Sequence, residues 1–597
     1  MPLYTELPSG LDTVDVVIAG GGTAGCIVAS RLSDAYPNLS ILVIEQGADS
    51  AGDPTVIFPA MYIAHMSPDS PRMQLLKGNK STALGGREPI VPIAKSLGGG
   101  SSVNMLMYSR AQKSDLETWQ TPGWEPDEML RLMRKLETYH GPGDKQQHGF
   151  DGPIHVSPGT YTSSRLIDAF LSASAQRGWK ELQDLGDLDT NNGIQRAQRY
   201  ISPDGERQDT AYCYLHPRLQ DGKHPNLHVL VQSRVVKILF DDDKRANGVV
   251  YTPAQSAKPR TINAKKMVIV SGGACGTPLL LERSGVGDPT ILNRAGIEVV
   301  AQVPGVGASY DDHQVFSSPY RSSLDIDETL DGFVNGKINV PALMESKDKM
   351  LGWNGLEVTG KLRPHATDVA SVGPEFEAEW KEKFADNPNK LLVGLTLIAG
   401  NAVDPLESPI GQYFTISVFN MYPSSRGHIH VTGPNPDDPL DFDPAFFDEG
   451  GVDIKKCIWG YKTQREIARR MNVYRGELAM FHPKFATGSK AACVELQGPP
   501  TPNIENIEYT AEDDSAIEEW LRNKIATTWH SAGTCRMLPL HENGVVDANL
   551  GVHNVTGLKV ADVSVIPCNV GAHTNNIAMV IGEKAAEIFI KELGLPQ

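Results

Sequence analysis

The chain has 597 residues, of which 40% are hydrophobic and 21% are charged, as in a folded protein rather than a disordered one. Its formal net charge of −17 argues against nucleic acid or an anionic membrane as a partner, because either would require a basic face. A chain of this length exceeds one hydrophobic core, so we expect two or more domains.

The termini and the cysteines predict a protein of the cytoplasm. Residues 1–20 lack a basic segment followed by an apolar one, no run of about 18 apolar residues occurs, and the C-terminal residues carry no peroxisomal address. The seven cysteines include no C-x-x-C pair, which favours reduced thiols over disulfides or a metal site. We therefore expect a cytoplasmic protein without a metal, and the composition leaves a homo-oligomer open.

The first chemical motif follows a short β-branched run at residues 14–20. Gly20-x-Gly22-x-x-Gly25 leads into a helical pattern, and a second strand ends at Glu45. The glycines permit a tight turn, a close backbone approach to a pyrophosphate and helix packing, while the carboxylate can accept hydrogen bonds from both ribose hydroxyls. This motif predicts a dinucleotide site but does not distinguish NAD from FAD. Its predicted contacts are Gly20, Gly22, Thr23, Ala24, Gly25 and Glu45.

A second glycine-rich segment, AKSLGGGSSVNMLMYSR at residues 94–110, favours FAD. Its backbone can lie flat against a large planar ring and donate several N–H groups to it, which an isoalloxazine requires and a nicotinamide does not. Apolar residues on both sides argue against a flexible linker. The predicted cofactor contacts of this loop are Gly98, Gly99, Ser101, Ser102 and Asn104.

Two long motifs and several shorter ones resemble the glucose–methanol–choline (GMC) oxidoreductases, a family of FAD enzymes. Residues 94–117 resemble its first signature and residues 273–287 its second. The residues of the first signature and the segment NVGAHTNNIAMVIGEK are most similar to those of the fungal alcohol (methanol) oxidases of that family. The shorter segments that extend the resemblance over nearly the whole chain are 304–313, 422–431, 529–537 and 560–587.

The resemblance implies an α/β FAD-binding domain, Rossmann-like and doubly wound, and an α+β substrate-binding domain with an antiparallel sheet. The FAD-binding domain would comprise residues 1–155, 224–315 and 527–597, and the substrate-binding domain residues 156–223 and 316–526. The patterns within the second domain predict a half-buried strand at 413–422 and a surface helix at 454–471.

The resemblance also assigns further cofactor contacts. Val235 would hold the adenine through its backbone, the turn at Gly272 would complete the nucleotide site, and Asp562 would lie on the ribityl or pyrophosphate group. A turn cap is the alternative for Asp562. Ala572 and Thr574 would lie beside FAD, where the positive end of the following helix would face the flavin.

Two of the 16 histidines stand apart from the rest. His530 begins W-H-S-A-G-T-C-R-M and His573 lies in G-A-H-T-N-N, the positions of the family's catalytic pair at the flavin N5. Since histidine is the natural base near neutral pH, we expect His530 to be the general base and His573 to fix the substrate oxygen. Met105 and Trp529 would line the substrate pocket.

These motifs predict oxidation of a primary alcohol to an aldehyde, with electrons passing through FAD to oxygen to give hydrogen peroxide. Formate-oxidising relatives have arginine at the His573 position, so histidine favours a small neutral alcohol. Met105 stands where methanol oxidases have phenylalanine, which leaves the identity of the alcohol open. A dehydrogenase using a quinone or other acceptor and a hydroxynitrile lyase on the same fold remain alternatives.

Overall fold

Two β-sheets face one long cavity in the computed structural model, which describes residues 2–256 and 258–596. The first sheet is mixed, and its Ile41–Ile44 strand is buried throughout, as expected for a parallel strand covered on both faces. In spatial order its strands are Leu3–Tyr4, Leu227–Leu230, Ile41–Ile44, Thr13–Ala19, Arg260–Val270, Ala246–Pro253 and Ser233–Phe240, and Leu558–Val560 also pairs with Arg260–Val270.

Three parallel strands of the mixed sheet end together at the cavity. Ala19, Val270 and Val560 are cross-strand neighbours at the carboxyl ends of their strands. The next residues along the chain, beginning with Gly20, Ser271 and Ala561, form the turns at this edge. In open α/β sheets this edge is where ligands bind.

The second sheet is antiparallel throughout its described pairings. In spatial order its strands are Tyr474–Glu477, Gln314–Ser322, Tyr413–Asn420, Val393–Ile398, Leu356–Leu362 and Gly193–Arg196, and Ala526–Thr527 also pairs with Gln314–Ser322. The predicted combination of an α/β fold with an α+β antiparallel-sheet region is therefore confirmed. The predicted domain boundaries remain predictions.

The prediction of a half-buried strand at 413–422 is wrong. All eight residues of Tyr413–Asn420 are buried, because this strand lies between two others near the middle of the sheet. The alternation itself is real. One face carries Ser417 and Phe419 toward the cavity, and the other packs Val418 against the helix Val452–Ala468.

The prediction of a surface helix at 454–471 is also wrong. Fourteen of the 17 residues of Val452–Ala468 are buried, because the helix lies between the antiparallel sheet and the helix Ala511–Lys524. Its charged residues form buried ion pairs instead of facing water: Arg465 Nε lies 2.8 Å from Glu477 Oε1. The helical pattern therefore predicts the helix correctly but does not predict that the helix is buried.

The described chain also contains four two-stranded sheets and a series of α-helices. The two-stranded sheets pair Met73–Lys77 with Ile90–Ala94, Glu137–Tyr139 with Ile154–Val156, Val286–Gly287 with Ala301–Gln302, and His428–Val431 with Leu440–Asp443. The α-helices are Thr23–Ala35, Pro54–Ile57, Gly100–Val103, Lys113–Glu117, Pro126–Leu136, Ser164–Gln176, His216–Gln220, Gly273–Arg283, Pro289–Arg294, Asp331–Val334, Val340–Ser346, Ala366–Val372, Pro374–Glu379, Val452–Ala468, Ala511–Lys524 and Asn575–Glu592.

Two of these helices have their N-termini at the cavity. Thr23–Ala35 begins after Gly22 and Asn575–Glu592 after Thr574, and both of these preceding residues line the cavity. Gly582 permits the close approach of the two helices, since a Cβ there would lie 3.1 Å from the Cα of Ala24. Two positive helix ends thus face the same space.

Candidate active site

One cavity of about 1030 Å³ connects the edge of the mixed sheet with the face of the antiparallel sheet. It runs from the first glycine turn to the two predicted catalytic histidines, so one elongated ligand could contact both. The predicted site residues that line it are Gly20, Gly22, Thr23, Ala24, Glu45, Gly99, Asn104, Met105, Val235, Gly272, Trp529, His530, Asp562, His573 and Thr574.

Glu45 holds the glycine turn at one end of this cavity. Its Oε2 accepts a hydrogen bond from the Gly21 N–H at 2.9 Å and its Oε1 one from the Gly47 N–H at 2.7 Å. Burial raises the pKa of this carboxyl to about 7, while the backbone donors act in the opposite direction. Each oxygen retains a further lone pair and Glu45 lines the cavity, so the carboxylate can still accept from a ribose hydroxyl.

The two glycine-rich loops touch each other. Gly99 has φ +57°, and a Cβ there would lie 2.7 Å from the Cα of Gly22. Thr23 joins the loops, because its Oγ1 donates to the Gly98 carbonyl at 3.2 Å and accepts from the Ser101 N–H at 3.2 Å. At Gly20 a Cβ would lie 2.2 Å from a backbone oxygen, so no larger residue fits that turn.

Five predicted cofactor contacts do not line the cavity but lie behind its wall: Gly25, Gly98, Ser101, Ser102 and Ala572. A Cβ at Gly25 would lie 2.3 Å from the Gly20 carbonyl oxygen, which fits its expected helix-packing role. Ser101 Oγ donates to the Gly98 carbonyl at 2.6 Å and Ser102 Oγ to that of Leu97 at 2.8 Å. Both serines therefore brace the loop from within.

Asp562 lies at the cavity edge and also caps a turn. Its Oδ1 accepts from the Ser564 N–H at 2.8 Å, and its Oδ2 accepts from the Gly273 N–H at 3.0 Å and from Thr277 Oγ1 at 2.6 Å. Burial raises the pKa of this carboxyl. The alternative of a turn cap therefore describes this side chain, and its contact with a cofactor stays a prediction.

Three histidines form a chain of contacts at the far end of the cavity. His530 Nε2 lies 3.2 Å from His573 Nδ1, and His530 Nδ1 lies 2.9 Å from Nδ1 of His313. His530 and His573 line the cavity, whereas His313 is fully buried behind them. Among the described residues, no hydrogen bond reaches His573 Nε2. His573, which lines the cavity, therefore has a ring nitrogen, Nε2, that is free to accept a proton.

Burial keeps all three rings neutral. It lowers the pKa of His573 to about 4 and that of His313 to about 3, and it lowers the pKa of His530 well below its ordinary value. The neighbouring imidazoles lower the pKa of His530 further, and Lys361 does the same for His573. Neutral imidazole is the form that accepts a proton.

Two consecutive aspartates and an asparagine fix the backbone around His530. Asp312 Oδ1 accepts from the His530 N–H at 3.0 Å, and Asn569 Nδ2 donates to the His530 carbonyl at 3.1 Å. Asp311 Oδ2 in turn accepts from the Asn569 N–H at 3.4 Å. Thr528 Oγ1 donates to the His313 carbonyl at 2.7 Å. The backbone of His530 is thus fixed at both its N–H and its carbonyl.

Trp529 sits in a strained backbone conformation beside this histidine. Its φ of +59° is rare for a bulky residue, and its N–H donates to Thr527 Oγ1 at 2.8 Å. Its side chain is 39% exposed and lines the cavity. Such strain persists only where the surroundings fix it, which is typical of functional sites.

Asp311, Asp312 and His313 have no predicted role from the sequence. The segment 304–313 is one of those that carry the family resemblance, so it contained a signal. The sequence could not show that His313 contacts His530, because the two residues are 217 positions apart along the chain.

Comparison with known proteins decides the family. The GMC oxidoreductase N-terminal family model matches residues 14–315, and the C-terminal model matches residues 423–582. The chain belongs to the GMC oxidoreductase family. It is an FAD-dependent oxidoreductase, and the predicted family, cofactor and enzyme class are confirmed.

Relatives match this GMC oxidoreductase over nearly its whole length. The alcohol oxidases of Candida boidinii and Pichia angusta are each 36% identical to it, over 97% and 98% of this chain and 95% and 96% of their own. The crystal structure of a formate oxidase matches this chain with a TM-score of 0.82 and 22% identity, covering 97% of this chain and 98% of that one.

No helix among the described residues is long and apolar enough to cross a membrane. Within the same part of the chain, no group of three or more histidine, cysteine, aspartate or glutamate side chains is arranged to hold a metal ion. All seven cysteines are free.

Proposed function

We propose that this GMC oxidoreductase oxidises a primary alcohol to an aldehyde and passes the electrons to oxygen, giving hydrogen peroxide. The observation that carries the proposal is the contact of His530 and His573, 3.2 Å apart, at the end of the cavity that begins at the glycine turn. The relatives named alcohol oxidase support the same reaction.

The cavity fits FAD along its length. Gly20 and Gly22 leave room for a pyrophosphate beside the N-terminus of Thr23–Ala35, Glu45 can accept from a ribose, and Gly99 and Asn104 of the second glycine-rich loop also line the cavity. When bound, FAD supplies an acceptor for the hydride of the alcohol and a donor of electrons to oxygen.

The histidines would handle the alcohol proton. An alcohol oxygen that enters between the two rings replaces their mutual contact, donates its proton to His530 Nε2 and accepts a hydrogen bond from His573. Removing this proton makes the carbinol carbon a far better hydride donor, which is why a neutral base is needed. His530 also keeps its orientation through His313 and Asp312.

The walls near the histidines support a neutral substrate. The described lining residues on the antiparallel sheet are apolar or carry hydroxyls, among them Val315, Ser317 and Phe419, and neither they nor Met105 are charged. A substrate carboxylate would find no cation among these lining residues to balance it. A neutral alcohol needs none.

The test measures the oxygen consumed and the aldehyde and hydrogen peroxide formed when purified protein is mixed with primary alcohols in air. We expect one aldehyde and one hydrogen peroxide for each oxygen consumed. Aldehyde formation that requires an added quinone would overturn the oxidase assignment in favour of a dehydrogenase. Release of cyanide from a hydroxynitrile without any change in flavin absorbance would overturn alcohol oxidation altogether.

A further inference from the structure

Asp115 is a buried carboxylate of the first signature, residues 94–117, that takes no part in the reaction proposed above. It is 2% exposed and does not line the large cavity. Its Oδ2 accepts from the Gly571 N–H at 2.7 Å and from the Gln112 N–H at 2.9 Å. Its Oδ1 accepts from the Tyr422 hydroxyl at 2.7 Å. One carboxylate therefore joins three segments that are far apart in the sequence.

The segment 569–573, to which Gly571 belongs, connects this carboxylate with the two histidines. At its first residue, Asn569 Nδ2 donates to the His530 carbonyl at 3.1 Å. At its last residue, His573 Nδ1 lies 3.2 Å from His530 Nε2. Gly571 lies midway between these contacts. Because a hydrogen-bonded N–H fixes the peptide plane to which it belongs, the bond at Gly571 restrains the chain two residues before His573.

Packing allows only glycine at this point of the segment. A Cβ at Gly571 would lie 2.3 Å from Tyr422 Oη and 2.6 Å from Leu391 Cδ2. The backbone at Gly571 thus lies directly against the side chains beneath it, where its N–H reaches Asp115. A buried N–H without an acceptor is unfavourable, so removal of the carboxylate favours another path for this segment.

From these contacts we propose that Asp115 is a positioning residue of the active site. Through the Gly571 N–H it holds His573 at the distance from His530 at which an alcohol oxygen binds both rings. The function of His573 in this proposal rests on the proposed alcohol oxidation. The placement of its ring by Asp115 is a separate statement about structure.

The first arm of the test measures anaerobic flavin reduction by a primary alcohol in two variants of the holoenzyme. Asp115→Ala should slow it by about 10- to 100-fold, because a positioned group that moves by roughly 1 Å can cost about 100-fold in rate. Asp115→Asn should stay within about threefold of the wild type, since its amide oxygen can accept from both N–H groups and its NH2 can donate to the Tyr422 hydroxyl. A wild-type rate in Asp115→Ala, or equal losses in both variants, would overturn the proposal.

Asp513→Ala is the matched control. Like Asp115, Asp513 is 2% exposed and lies in the first turn of a helix, and its Oδ2 accepts from a backbone N–H three residues earlier, that of Thr510, at 2.9 Å. Its helix, Ala511–Lys524, does not line the cavity. Both alanine variants should lower Tm, but only Asp115→Ala should slow flavin reduction. Equal slowing in the control would overturn the proposal.

The second arm tests whether Asp115 acts through His573. In a His573→Ala background, Asp115→Ala should slow flavin reduction by no more than about twofold further, because the group that it positions has been removed. A loss as large as in the wild-type background would show that Asp115 acts elsewhere and would overturn the proposal.

A crystal structure of Asp115→Ala with FAD bound tests the placement without any alcohol. We expect the His573 ring to leave its contact with His530, which is 3.2 Å in the wild-type protein. An unchanged contact would overturn the positioning role whatever reaction the enzyme performs. If primary alcohols fail to reduce the wild-type flavin, the proposed function is wrong, whereas a displaced His573 ring would still support the positioning role.

Discussion

At the scale of single residues, His530 is unusual because both of its ring nitrogens contact other histidines. For its Nε2 to accept a proton, its Nδ1 must carry one, and the Nδ1 of His313 must then accept that hydrogen bond. His313 thus acts as a positioning residue: it selects the tautomer of His530 without reaching the cavity.

Two substitutions of His313 distinguish this positioning role from a role in packing alone. His313→Leu should slow flavin reduction by an alcohol by roughly 10- to 100-fold, because a buried N–H of His530 loses its acceptor. His313→Asn should recover most of the rate, since its amide oxygen can stand near the position of the lost Nδ1. The measurement is anaerobic stopped-flow reduction across pH, with FAD content and Tm as controls. Equal losses in both variants, with FAD retained, would contradict the positioning role.

The lowered histidine pKa values predict a broad pH plateau. The base works only while neutral, and the pKa of His573 is about 4, with that of His530 also far below its ordinary value. Flavin reduction should therefore stay nearly constant from about pH 8 to about pH 5 and fall only as the pH approaches 4. A loss of rate centred near pH 6.5 would show that these rings titrate as if exposed.

Single residues also mark how far the sequence could predict the site. His530 and His573 stand in recognisable motifs, so their roles could be proposed from the resemblance alone. Their contact with each other, and the third histidine behind them, depend on how distant segments pack. No local pattern of residues specifies such a contact.

At the scale of elements, the turn after Thr13–Ala19 shows how one carboxylate can serve both structure and binding. Glu45 accepts hydrogen bonds from Gly21 and Gly47 and faces the cavity as well. Sequence spacing predicted a ribose contact for it. The backbone hydrogen bonds could not be predicted, because they depend on the exact path of the turn.

Glu45→Arg should lower the FAD content of the purified protein by more than half, because a cation replaces the acceptor and cannot pair with the turn's N–H groups. Glu45→Gln, which keeps the shape and one acceptor oxygen, should retain more FAD. Flavin absorbance per protein after gel filtration gives the answer, and circular dichroism checks the fold. Full flavin content in Glu45→Arg would show that this residue does not hold the cofactor.

The strands and helices themselves were predicted better than what covers their faces. The alternation over Tyr413–Asn420 and the helical pattern over Val452–Ala468 both correspond to real elements, yet both were assigned exposed faces that they do not have. The polar side of the strand faces a cavity, and the charges of the helix pair inside the protein. Polar residues on one face predict a partner for that face but do not show whether it is water.

At the scale of the whole molecule, the site exists only because two sheets meet along one cavity. The mixed sheet contributes the turns at Gly20, Gly272 and Asp562, and the antiparallel sheet contributes the wall that includes Phe419. The fold class could be predicted from the motifs and the family resemblance. The shape of the cavity could not, since it depends on side chains from both sheets.

The most direct test of the account is anaerobic stopped-flow measurement of flavin absorbance after mixing with a primary alcohol, in the wild-type enzyme and in His530→Ala. This measurement reports the chemical step without product release. We expect the alcohol to bleach the wild-type flavin and His530→Ala to slow the bleaching by at least about 100-fold with FAD still bound, as for the loss of a general base. Bleaching of His530→Ala at nearly the wild-type rate would contradict it and place the base elsewhere.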